Sequence, residues 1–190
     1  MAYLLFLLYS KITIMKKLLA LIVLLILVVN PIFSQTKEDK KAAKEATFLK
    51  EYEVMKAIVN AESYTFEGEW ATTYKGRRIN LISNPTFIKM DNKSADAFLP
   101  FFGRAFSGAG YGGTNGGIEF KGEVENYQVN FIDKKRKAIV KFKAKSKSSE
   151  IYDVSIIVNG NKTAIVNINS NNRSTMNYSG KIKKHEKLED

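Results

Sequence analysis

Residues 126–180 alternate apolar and polar side chains with a regularity that excludes helix and assigns each strand a buried face. Tyr127, Val129 and Phe131 alternate with Gln128 and Asn130; Ala138, Val140, Phe142 and Ala144 alternate with Lys137, Lys141, Lys143 and Lys145. A period of two belongs to a half-buried strand. Paired residues must share a face, so each turn can be tested for register. A four-residue loop Asp133–Arg136 sets Phe131 against Ala138, Val129 against Val140 and Tyr127 against Phe142. A turn at Ser146–Glu150 sets Ala144 against Tyr152, Phe142 against Val154 and Val140 against Ile156, with Lys143 opposite Asp153 as an outer-face ion pair. At Asn159-Gly160 a two-residue turn would mix the faces. A three-residue loop Asn159–Asn161 with Asn161 left-handed is therefore expected, pairing Ile156 with Ala164 and Val154 with Val166. Ser170–Asn172 then brings Val166 to Met176 and Ala164 to Tyr178. The result is a five-strand antiparallel meander, apolar on one face and wet on the other.

Upstream, Tyr64–Trp70, Thr72–Ile82, Thr86–Asn92, Ala97–Phe101 and Gly117–Lys121 add strands. Residues 36–60 read as a helix: Thr36 can cap it, Glu38 and Asp39 suit the positive end of its dipole, and Phe48, Tyr52, Met55 and Val59 form one apolar stripe. The expected fold is mainly β (α+β), a meander curling to a half-barrel or sandwich with one N-terminal helix plugging an open end. It makes one domain over 35–182, followed by a charged tail at 183–190.

Ahead of that domain, Met15-Lys16-Lys17 precedes a twelve-residue apolar run Leu18–Val29, then Asn30-Pro31 and Ser34-Gln35. That order reads as a secretory signal peptide over 1–34, cut after Ser34, with Met15 as the true start. A membrane span needs about 20 apolar residues, so none is expected after cleavage. Residues 1–34 carry three Lys and no acid, so their removal lowers the net charge from +11 to +8. The expected location is periplasmic or secreted. With no Cys, the chain excludes a disulfide scaffold, thiol catalysis, a Cys-based zinc site and a bacterial-type lipid anchor.

Little in the chain points to chemistry. The single His, His185, cannot build a Ser-His-acid triad or a His metal site. Glu67 with Glu69, Glu119, and Glu123 with Glu125 could supply a carboxylate pair and equally make wet strand faces. Asp91–Asp96 lacks the glycine and terminal glutamate of a calcium loop. Asn92, Asn161, Asn172 and Asn177 head glycosylation triplets of a kind that chance supplies in an Asn-rich chain. The lysines at 141, 143, 145 and 147, beside Lys134–Lys137, make a basic outer face that fits solvent or an anionic polymer; export argues against nucleic acid. Seven of the twelve glycines fall in Gly103–Gly117, in a stretch that leads into a strand and so lacks the context of a phosphate loop. Phe98, Phe101, Phe102, Phe106 and Tyr111 surround it, with Arg104 among them. Such a cluster can stack on a sugar or planar ligand, or simply form core. Phe102, Arg104, Phe106 and Tyr111 are the binding candidates; no catalytic residue, metal ligand or cofactor is assigned.

Leu99-Pro100-Phe101-Phe102-Gly103-Arg104-Ala105, Gly116-Gly117-Ile118-Glu119-Phe120 and the stretch from Arg173 to Tyr178-Ser179-Gly180 resemble the domain of unknown function 4251 family, exported proteins of Bacteroidota. The resemblance covers Phe48–Ile182, and its most specific piece is Leu-Pro-aromatic-Phe-Gly-Arg. It implies export, a β-rich fold with an N-terminal helix, and interest in Phe102, Gly103 and Arg104. It carries no catalytic residue, because the family has no established activity. The function expected from all this is a non-catalytic binding or scaffolding module of the cell envelope, with an envelope component or glycan as partner. The alternatives are a carboxylate-dependent hydrolase of envelope polymers and a protein-binding inhibitor.

Overall fold

The computed structural model describes residues 2–106 and 116–185, with side chains over 14–19 and from Lys37 onward. The chain divides into two compact units, Met1–Thr47 and Phe48–Asp190. The first is helical. α1 runs Ala2–Asn60, so the helix is already formed before Thr36 and that residue does not cap it. Leu and Ala in the apolar run, then Lys, Glu and Ala after it, are strong helix formers and continue one another. Among the described residues no helix is long and apolar enough to cross a membrane.

Among the described residues the second unit contains ten strands in one antiparallel sheet: β1 (Ser63–Thr73), β2 (Arg78–Asn80), β3 (Phe87–Asp91), β4 (Ser94–Leu99), β5 (Ile118–Glu123), β6 (Glu125–Ile132), β7 (Lys137–Lys145), β8 (Ile151–Asn159), β9 (Thr163–Asn169) and β10 (Met176–Lys184). Their order is β5-β4-β3-β1-β10-β9-β8-β7-β6, with β2 on the side of β1. The sheet curls until β5 returns over β7, where Phe120 meets Phe142 edge-on at 6.3 Å and Tyr152 at 5.9 Å. The result is a nearly closed barrel, mainly β with one helix, as the alternation required. The inward positions of β7 to β10 are buried almost without exception, and Tyr64, Phe66, Tyr152 and Tyr178 are the bulkiest rings of the core.

The last turns of α1 close one end of this barrel. Tyr52, Met55 and Val59 are buried there. Tyr52 Oη donates to Asp133 Oδ1 at 2.8 Å, and Lys56 lies over both the Tyr52 and Phe131 rings. Phe48, the fourth member of the expected stripe, is instead 40% exposed, with the Arg136 guanidinium 5.9 Å above its ring. At the other margin β10 runs to Lys184, and the His185 backbone N–H still donates to Ser63 O. The sheet therefore takes in the first residues of the expected tail.

Face assignments hold throughout the meander, whereas two registers are shifted from expectation and a third is interrupted by a bulge. β7 and β8 pair as expected, including Lys143 with Asp153 at 2.9 Å. In β6 a bulge interrupts the ladder between Glu125 and Gln128, so Tyr127 is not directly opposite Phe142, although the rings still stack at 6.3 Å. Asn126 absorbs the bulge at φ 55°. Between β8 and β9 the loop is Gly160–Lys162 and Lys162, not Asn161, is left-handed; Ile156 pairs with Val166 and Val154 with Ile168. Asn161 Oδ1 accepts from both the backbone N–H and the hydroxyl of Thr163, which draws Thr163 up against Asn159. β10 is likewise displaced by two residues, pairing Met176 with Ile168 and Tyr178 with Val166, because residues 172–174 are engaged elsewhere. A shift of two leaves every side chain on its face.

Candidate functional site

At the barrel end away from the helix, Glu150 and Arg173 meet. The Glu150 side chain is 4% exposed and that of Arg173 12%. Arg173 Nε donates to Glu150 Oε2 at 3.1 Å, Tyr152 Oη donates to the same oxygen at 2.9 Å, and Ser170 Oγ donates to Oε1. The second arm of the guanidinium reaches Gly117 O at 3.0 Å, and its plane sits 5.1 Å above the Phe101 ring. Nearby, Tyr178 Oη donates to Pro100 O at 2.9 Å. Burial, then the bond to Glu150, pushes the Tyr152 phenol well above its ordinary range; burial does the same to Tyr178. Both phenols stay protonated and donating at any physiological pH.

The backbone of the same arginine pairs with Ala105. Ser174 N donates to Arg104 O, Arg104 N to Ser174 Oγ, and Phe106 N to Asn172 O. One residue thus ties down both sides of the glycine-rich connection, through its backbone at 105 and its side chain at 117. Gly103 is required by this arrangement: a Cβ there would lie 2.2 Å from Ser174 Oγ and 2.7 Å from the Phe101 ring. With its carboxylate, hydroxyl and guanidinium groups already bonded to one another, the cluster is a polar plug. It presents no open acid or base.

The described sequence candidates are placed differently from one another. Phe102 is half-buried against the core, while Arg104 and Phe106 are exposed side chains at the edge of the Ala105 bridge. Tyr111 lies outside the described residues. The cation over the aromatic cluster is Arg173 instead of Arg104. The carboxylate pairs sit on wet faces. Glu67 is ion-paired to Lys183 and Glu69 to Lys181, and Glu119, Glu123 and Glu125 are exposed. Asp91–Ser94 is a tight hairpin, with Asn92 and Lys93 both left-handed as a type I′ turn requires.

A second feature lies on the outer face of β6 to β9. A groove of about 320 Å³ opens there, lined by Gln128, Lys141, Lys143, Asp153, Ser155 and Asn169 among others. Lys143 and Asp153 neutralise each other, which raises the lysine above its usual range. Asn169 Nδ2 donates to Asn167 Oδ1 and Asn167 Nδ2 to Asn177 Oδ1, so the amides are held in place while each keeps spare hydrogen-bonding capacity.

The family model for the domain of unknown function DUF4251 matches residues 46–182. The chain belongs to the DUF4251 family. Among solved structures it is similar to a DUF4251 family protein from Bacteroides eggerthii DSM 20697, with 22% identity, 70% of this chain and 87% of that chain covered, and a TM-score of 0.54. No curated protein matches the chain. Within this DUF4251 fold, the separate motif segments around Leu99–Ala105, Gly117 and Arg173 meet in the plug. Their common role is to hold the barrel end together. In the sequence Glu150 and Ser170 stand out only as turn residues and the outer-face amides not at all, since nothing local distinguishes them from other turn and strand-surface residues.

Proposed function

We propose that the protein is an exported, non-catalytic binding module of the cell envelope, and that its outer-face groove holds a hydroxyl-rich envelope polymer. The groove carries this reading: its functional groups are amides, a hydroxyl and a mutually neutralised Lys143–Asp153 pair, with Lys141 supplying one further positive charge. Such groups bind hydroxyls and leave no matched acid and base for bond cleavage. The cationic start and apolar run of residues 15–29 support export.

The test has two arms. The exported form is sequenced from its N-terminus, where cleavage after Ser34 is expected. It is then titrated calorimetrically against a panel of envelope glycans, alone and as Ser155→Ala and Asn169→Ala. Saturable binding weakened by both substitutions supports the reading. Release of reducing ends from a bound glycan would instead establish the hydrolase alternative.

A further inference from the structure

The registers create a pattern on the outer face that runs far beyond the groove. Lys141 on β7 faces Ser155 on β8, which faces Asn167 on β9, then Asn177 on β10, Thr72 on β1 and Arg78 on β2. This row is uncharged through its centre and carries a cation toward each side, with Gln128 on β6 beyond Lys141. Beside it, two residues along each strand, Ile139 faces Ile157, Ile157 faces Ile165, Ile165 faces Ser179 and Ser179 faces Trp70. Ile165 is 45% exposed and the other apolar members are half-buried, so an apolar ridge stands beside the polar row. The Arg78 guanidinium lies 4.2 Å over the Trp70 ring, joining the two rows at their far end. Five strand spacings separate Lys141 from Arg78, a contour of about 24 Å at ~4.8 Å per strand.

We propose that this double row is the bed of a linear acidic polysaccharide lying across the strands. Ring C–H faces rest on the isoleucine ridge, hydroxyls bond the amide row, and carboxylates meet Lys141 and Arg78. One strand spacing is close to the length of one sugar unit, so successive units meet successive strands. Among the described residues neither cation has an ion-pair partner, whereas Lys181 and Lys183 are occupied by Glu69 and Glu67. That leaves Lys141 and Arg78 as the unpaired cations of the row. A single-stranded nucleic acid would need several aromatic stacking platforms where the ridge offers Trp70, and an added peptide strand would need a free sheet edge. An alternation of apolar ridge and neutral amides suits a chain with apolar faces and hydroxyl edges.

The inference rests on the binding-module reading and deepens it, so the experiment separates their failures. Polygalacturonate oligomers of increasing length and their methyl esters, together with the glycan panel, are titrated against the wild-type protein, Lys141→Gln, Ile165→Thr and Arg78→Gln. Unchanged thermal melts certify the folding of these surface variants. Polygalacturonate is expected to bind more tightly than its ester. I165T should weaken every oligomer about threefold. R78Q should weaken by about two- to fivefold only those long enough to reach from Lys141. Binding reduced by K141Q and indifferent to I165T and R78Q would confine the ligand to the groove, overturning the proposal and keeping the module. Binding of neutral glycans alone, or of anionic lipid vesicles in place of the oligomers, would also overturn it. No binding to any glycan would remove both.

Discussion

Arg173 and Glu150 form an ion pair inside the protein, 23 residues apart in sequence and 3.1 Å apart in space, with side chains 12% and 4% exposed. Charge this well enclosed is tolerable because both partners are bonded: two hydroxyls and a guanidinium on the carboxylate, a carbonyl and a ring on the guanidinium.

Breaking the pair from one side should therefore cost more than the pair contributes. Arg173→Met leaves Glu150 buried without its countercharge and is expected to lower stability by about 3–5 kcal/mol. Arg173→Met with Glu150→Gln, which leaves no buried charge, should lose less. Urea unfolding of the two variants decides this, and equal losses would refute it.

Gly180 tests the backbone. A Cβ at this position would lie 1.8 Å from Glu67 O, across the bulge between β1 and β10. Gly180→Ala is expected to cost about 1–3 kcal/mol or more, since main chain must move to make room. A melting temperature equal to that of the wild type would mean that the two strands are not so closely apposed.

Alkaline pH should loosen the barrel. Tyr152 and Tyr178 are held protonated in the fold above their ordinary value, while unfolded tyrosines ionise near pH 10. With the folded value raised, the unfolded chain loses protons first, so stability is complete below about pH 10 and falls as pH rises beyond it. Urea midpoints measured on either side of pH 10 should show this fall, and Tyr152→Phe with Tyr178→Phe should reduce it, the remainder belonging to Tyr52, Tyr64 and Tyr127, which burial also raises.

The hydroxyls of Tyr64 and Tyr127 are buried close to each other, without a well-formed hydrogen bond to any described residue. Replacing both with Phe removes two desolvated polar groups and keeps the ring packing. The double variant is expected to be as stable as the wild type or up to about 1 kcal/mol more so. A clear loss by differential scanning calorimetry would show that these hydroxyls are satisfied.

The faces of the meander were legible because alternation is local: Val140, Phe142, Val154 and Val166 declare their side whatever they pair with. The registers of β9 and β10 were not. A two-residue slip preserves every face, and the choice fell to Asn161 bonding Thr163 and to Arg173 and Ser174 bonding the 104–105 backbone. The outer-face rows were hidden for the same reason. In the expected register Ile157 would have faced Thr163, and the isoleucines at 139, 157 and 165 would not have aligned. Each strand contributes a single outward isoleucine, which alone is an unremarkable surface residue. Glu150 and Arg173 were invisible as a pair because their meeting depends on the β8–β9 register, which sets the β7–β8 turn beside the β9–β10 turn.

The contacts of residues 172–174 with residues 104–106 have a wider consequence. β10 stands between two halves of the sheet, with β1, β3, β4 and β5 on one side and β9 to β6 on the other. Alternation lets each ladder settle at several positions two residues apart with nearly equal burial. The out-of-ladder attachment made where the chain enters β10 removes that degeneracy for β10 against its neighbours, as Asn161 does between β8 and β9. Each works as a phase reference: the sheet's hydrophobic pattern supplies the wave, and such a junction says where it begins.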